Sequence, residues 1–226
     1  ALGNNRFKSY YFIIPDSSPE KGNWTRKLIT DQATEDGFAM GDFDQDGDLD
    51  YTSGYHDGSS IKWWENPGNH SENWTMHHVN SFPRNLDGSS GWPDIVRTAD
   101  LDDDGDMDIL VSRETSAQKK GRVFWYENGA DWTRHTIYRG DSVNSMDVAD
   151  MDNDGDMDVV IGEHRGDKEL IILENKGKAV FDSRLVDSGK EHHLGARTVD
   201  LDGDCDRDIV SIAWFTNHYL HLWRND

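Results

Sequence analysis

Four stretches of the chain place an aspartate at every second position. They are Asp42, Asp44, Asp46, Asp48 and Asp50; Asp100, Asp102, Asp104, Asp106 and Asp108; Asp150, Asp152, Asp154, Asp156 and Asp158; and Asp200, Asp202, Asp204, Asp206 and Asp208. Carboxylates at this density repel one another unless a cation lies among them. Alternate side chains can turn toward one centre, and a set of hard oxygens suits Ca2+. Gly47, Gly105 and Gly155 fill the sixth position, where a left-handed turn lets the chain wrap an ion. At the seventh position the backbone carbonyl is expected to ligate, turning the Asp48, Asp106 and Asp156 side chains toward solvent. In the fourth stretch Cys205 replaces the glycine, which predicts strain and the weakest site, with Gly203 absorbing part of the turn. The plain alternative, four solvated acidic turns, sits poorly with four in-phase copies.

The elements that must hold these loops repeat with them. The stretches start 58, 50 and 50 residues apart. Each is followed by an apolar strand ending in asparagine: Trp63 to Asn66, Trp125 to Asn128, Ile172 to Asn175 and Leu222 to Asn225. A strand of alternating character comes next, from Trp74, from Trp132 and, degenerately, from Phe181. With a strand before and after each loop, the unit reads as four short β-strands, and units of this length are propeller blades. The blades are expected at about 37–81, 94–140, 142–190 and 195–226, preceded by an extension or partial blade over 1–22. The last unit lacks its fourth strand, and Trp24 to Ile29 resembles one. That predicts an all-β propeller of four blades, closed by the N-terminal strand over 23–30. Ser9 to Ile14 also resembles a third strand, which favours the alternative of a piece of a larger propeller, for example a seven-bladed one.

The loops, the strand frame and the aromatic-Glu-Asn tails resemble FG-GAP/VCBS repeats, the calcium-loop blades of integrin-α-type propellers. The resemblance spans about residues 23–226. It implies structural Ca2+ and a place among secreted lectins, adhesive proteins and polysaccharide-processing proteins.

Function is then expected on the loops at the opposite end, where a rigid scaffold presents variable residues. The candidates there are Tyr55, His56, Arg113, Glu163, His164, Arg165, Trp214 and His218 after the second strands. Arg84, Trp92, Arg139, His192 and His193 come before the first strands. Aromatic rings pack on sugar faces, and arginine pairs with carboxylate or sulfate. Carbohydrate binding is the leading expectation, with Trp92, Trp214, Arg84, Arg139, Glu163 and His218 as contacts. A polysaccharide lyase is the second. It would draw a base from Tyr55, His56, His164 or His193 and a carboxylate neutraliser from Arg113 or Arg165. Protein adhesion is the third. Ordinary polar loops remain the bland account of any one of these residues. Trp63, Trp74, Trp125 and Trp132 recur in register and are expected to pack between blades. His77, His78 and His135 lie on the outermost strand.

Composition limits the partners. The 226 residues carry 23 Lys and Arg against 44 Asp and Glu, a formal charge of −21. Nucleic acid needs a basic surface, so it is excluded, and an anionic membrane is disfavoured. No apolar run is long enough to span a bilayer. The acidic loops hold 21 of the acids, leaving the rest of the chain near neutral. Mean hydropathy of −0.84 alone suggests disorder, but 9 Trp, 7 Tyr and 8 Phe argue for a packed core. Cys205 alone can form no internal disulfide. The start at Ala1 suggests a processed or excised product. Sequons at Asn23, Asn69 and Asn73 read as coincidence. Millimolar calcium is extracellular or periplasmic, which predicts export.

Overall fold

The computed structural model describes residues 8–15, 17, 19–32, 37–55, 60–189, 194–212 and 219–225. Nineteen strands appear among them. β1 (Ser9–Ile13) and β2 (Thr25–Thr30) are followed by β3 (Phe38–Gly41), β4 (Asp50–Tyr55), β5 (Ser60–Glu65) and β6 (Thr75–Ser81). Next come β7 (Asn85–Leu86), β8 (Ser89–Ser90), β9 (Trp92–Ala99), β10 (Asp108–Glu114), β11 (Gly121–Glu127) and β12 (Thr133–Gly140). β13 (Val143–Ala149), β14 (Asp158–Glu163), β15 (Leu170–Asn175) and β16 (Phe181–Asp187) precede β17 (Leu194–Val199), β18 (Asp208–Ile212) and β19 (Leu220–Trp223).

Three antiparallel meanders have four strands each: β3 to β6, β9 to β12 and β13 to β16. A fourth, β17 to β19, has three. First strands stand beside first strands: β9 packs against β3 and β13, and β13 against β17. Sheets stacked in this way about their first strands form β-propeller architecture. The second strands explain themselves by it. Ile109, Leu110 and Val111, like Val159, Val160 and Ile161, are all buried, because each inner blade is covered on both faces. A one-faced sheet would alternate instead. Three apolar layers separate the blades. Ile61 and Trp63 meet Ile109 and Phe124; Leu110 and Trp125 meet Met146 and Ile161; Val160 and Ile172 meet Ala196 and Ile209. Each such buried side chain contributes about 2 kcal/mol. Three of the four repeated tryptophans pack between blades as expected, Trp125 in the second layer and Trp132 and Trp63 both against Phe43 at 5.9 and 5.6 Å between ring centres, whereas Trp74 packs on Tyr11 of the N-terminal ribbon.

The N-terminal strand departs from expectation. β2 pairs with β1, register Tyr11 to Lys27 and Ile13 to Thr25, and does not close the last blade. Among the described residues β19 pairs only with β18. A neighbouring strand offers the shorter loop to close, so local pairing wins over a partner nearly two hundred residues away. The β1–β2 ribbon lies on the first blade, with Ser9 Oγ 2.6 Å from the Tyr51 hydroxyl and Tyr11 against Trp74. On the far side, Leu201, Ile212, Leu220 and Leu222 remain exposed. Their counterparts Met151, Leu170 and Ile172 are buried in the previous interface.

The longer first spacing is also explained. Extra residues form the β7–β8 hairpin between β6 and β9, and Arg113 anchors it. The guanidinium is fully buried and donates to the carbonyls of Pro83, Arg84, Ser89 and Lys120.

Candidate metal centre and the opposite loop face

Each acidic stretch is the turn between the first and second strands of its blade. In every one, oxygens of the first, third and ninth aspartates gather within 4.8 Å: Asp42, Asp44, Asp50; Asp100, Asp102, Asp108; Asp150, Asp152, Asp158; Asp200, Asp202, Asp208. The local fold follows from the sequence. The first aspartate accepts the sixth-position N–H, as Gly47 to Asp42 at 3.0 Å, which closes the turn. The sixth position is left-handed throughout, with φ 94° at Gly47 and 80° at Cys205. Cys205 keeps the same bond to Asp200, at 3.2 Å, and carries the backbone strain. The fourth position is left-handed in all four turns, so Gly203 fills an ordinary role there rather than compensating for Cys205.

The ninth aspartate is the interior member of each cluster. Asp50 is fully buried and accepts from the N–H of Phe43 and Asn66. Asp108, Asp158 and Asp208 repeat this with Leu101 and Asn128, Met151 and Asn175, Leu201 and Asn225. Desolvation pushes Asp50 up to about 6 and Asp108 up to about 7 against those bonds, and raises Asp158 too. Asp208 goes the other way. Its surface is equally covered, but among the described residues no blade packs beyond it, and the N–H bonds of Asn225 and Leu201 prevail and hold it low.

The residues fit a cation. Asp100 Oδ1 and Asp102 Oδ1 are buried without a hydrogen-bond partner, facing like-charged neighbours. Hard oxygens in that state lack only a positive charge. The four sites differ at their rims. The charge of Glu65 adds to the field on Asp44, and that of Glu127 to the field on Asp102. Lys176 sits 3.7 Å from Asp152, and Arg224 bonds Asp202.

The seventh-position aspartates do not simply face solvent. Gln45 donates to Asp106, Asn153 donates to Asp206, and Asp103 shares a hydrogen bond with Asp156, each from one turn to the next. The fifth-position aspartates use Oδ1 to accept the seventh-position N–H, as Asp48 to Asp46 at 2.8 Å. Neither position joins the three-oxygen clusters. In the sequence the tail asparagines mark only the ends of the third strands. Their main-chain role at the ninth aspartate follows from pairing between second and third strands, which no spacing displays.

At the opposite end, several expected residues meet. Arg84 lies over the Trp92 ring at 5.8 Å. Trp92 stands opposite Glu114 in the β9–β10 register. Glu114 in turn is 3.6 Å from His164 and 4.0 Å from Arg165, whose Nε donates to His164 Nε2. Arg139 is exposed on β12, across from Arg122. Two candidates are corrected. Arg113 is spent on the hairpin carbonyls and cannot neutralise a substrate carboxylate. Glu163 is buried at the end of β14, accepting from the Tyr138 hydroxyl and the N–H groups of Asp141 and Glu169, so its carboxylate is turned inward rather than presented at the surface. Both are loop-end residues whose charge suggested exposure, whereas packing between blades covers them. His56, His192, His193, Trp214 and His218 lie outside the described residues, as does the side chain of Tyr55. Two of the three outer-strand histidines have defined partners: His77 stacks on Trp63 and bonds Glu65, and His135 stacks on Trp125 and bonds Glu127.

Stacked antiparallel sheets, three of four strands and one of three, with a cation-suited aspartate turn in each, define a repeat-built β-propeller module. The chain belongs to the FG-GAP-like repeat family, whose model matches residues 42–111 and 100–161. No curated protein matches it. Among the described residues no helix is long and apolar enough to cross a membrane.

Proposed function

We propose that this protein is a calcium-stabilised extracellular module that recognises carbohydrate at the end opposite its aspartate turns. The metal reading is supported by the buried, unpartnered oxygens of Asp100 and Asp102, and by the calcium binding common in this family. Calcium here serves structure. Each ion would hold the first, third and ninth aspartates and so brace the turn between two strands.

The observation that carries the recognition reading is the row of Arg84, Trp92, Glu114 and Arg165, with His164 buried behind Glu114 and Arg165. It offers an aromatic face for a sugar ring, a cation for an acidic substituent and polar groups for hydroxyls. A glycan array in calcium, paired with an absorbance assay for unsaturated uronate on acidic polysaccharides, tests it. Binding without new absorbance, weakened at least about tenfold by Trp92→Ala, is the expected result. New absorbance would favour the lyase reading. Silence in both assays would favour a protein ligand.

A further inference from the structure

Three tail asparagines tie each aspartate turn to the next. The Asn128 side-chain amide donates to the Phe43 carbonyl at 3.0 Å, from the second blade to the first turn. Asn175 does the same to Leu101 at 2.8 Å, and Asn225 to Met151 at 2.7 Å. Each acceptor lies between the first and third aspartates of its turn, two of the three clustered carboxylates. Its own N–H is held by the ninth aspartate of that turn: Phe43 by Asp50, Leu101 by Asp108, Met151 by Asp158. The N–H of each clasping asparagine is held by the ninth aspartate of its own blade. One hydrogen-bonded line therefore runs from Asp50 through Phe43 and Asn128 to Asp108, and onward to Asp158 and Asp208. Asn66 differs. Its amide donates to Leu49 of its own turn at 3.2 Å, and no cross-blade clasp is seen from it among the described residues.

We propose that Asn128, Asn175 and Asn225 are positioning residues that couple the four metal sites, so that an ion in one turn favours binding in its neighbour. The inference rests on the calcium reading of the turns. Its physical basis is a shared element. An ion drawing the first and third aspartates together orders the peptide between them. That peptide's carbonyl then fixes the asparagine, whose N–H orients the interior aspartate of the next site. Ordering done once need not be done again, which is positive cooperativity. A purely structural asparagine would alter melting without altering how the sites communicate.

Isothermal titration with Ca2+ on the metal-free protein separates the possibilities. The wild type is expected to titrate with a Hill coefficient above 1. Asn175→Ala should bring it down and lower the affinity of the adjoining sites roughly fivefold, while Asn66→Ala leaves the Hill coefficient unchanged. A ligand variant reads the same coupling with every clasp intact. Asp150→Asn should weaken the remaining sites roughly fivefold if they are linked, and leave them as they were if not. A wild-type Hill coefficient of 1, or one that Asn175→Ala does not move, overturns the coupling. No binding of Ca2+ at all overturns the metal reading itself.

Discussion

At the scale of single residues, the ninth aspartate governs the response to acid. Burial raises Asp50 from 3.8 to about 6 and Asp108 to about 7 in the metal-free fold. A carboxyl whose folded value is raised binds its proton more tightly folded than unfolded. Its contribution to stability is full below about 4 and is lost as pH rises through the folded value. The metal-free protein should therefore melt at progressively lower temperature between about pH 4 and pH 7, as these two groups ionise. Calcium must displace the same protons, so affinity should fall as pH drops from 7 to 5. Binding at pH 6 should release protons, seen as a titration heat that varies with the buffer's ionisation enthalpy. A heat independent of buffer would refute this account. The alternating spacing made these carboxylates visible in the sequence. Which of five in each turn lies inside depended on the strands that bury it.

At the scale of elements, the β7–β8 hairpin shows how a spacing can be read and its cause missed. The gap of 58 against 50 residues announces an insertion. It does not reveal that Arg113, some thirty residues on, would thread beneath it and satisfy four carbonyls. A buried guanidinium bonded to four main-chain oxygens and the Ser89 hydroxyl is a local keystone, since its loss strands several acceptors at once. Arg113→Met is expected to cost about 3 kcal/mol in urea denaturation. Calcium affinity should hardly change, because the aspartate turns lie at the other end of the blade. A variant as stable as the wild type would return Arg113 to the pool of ligand candidates. The N-terminal strand teaches the complementary point. Trp24 to Ile29 has the pattern of a fourth strand, and β2 is indeed a strand. Pattern specifies the element but not its partner, and β1 stood nearer.

At the scale of the whole molecule, charge and cohesion meet in the turns. Four clusters of aspartate in a chain of net charge −21 oppose folding, and cations held among them would relieve that repulsion. Each filled site at a hundredfold excess over its Kd adds about 2.7 kcal/mol to the folded state. Excess EDTA should thus lower the melting midpoint by about 10 °C or more for a chain of this size. An unchanged melt would rule out structural calcium. The effect should exceed that of any single-turn variant, because the turns are linked from blade to blade.

The amino-acid order by itself determined the repeat, the strands, the turns and the oxygens they offer. All of these depend on residues within a few positions of one another, where backbone geometry alone decides. The tertiary structure decided what lay between distant segments. It paired β2 with β1, sealed Arg113 and Glu163 inside, and gathered Arg84, Trp92, Glu114, His164 and Arg165 along one edge. It also turned four asparagines that looked like punctuation into the supports of four buried aspartates. Burial and long-range hydrogen bonds arise only when blades stack, so no local pattern carries them.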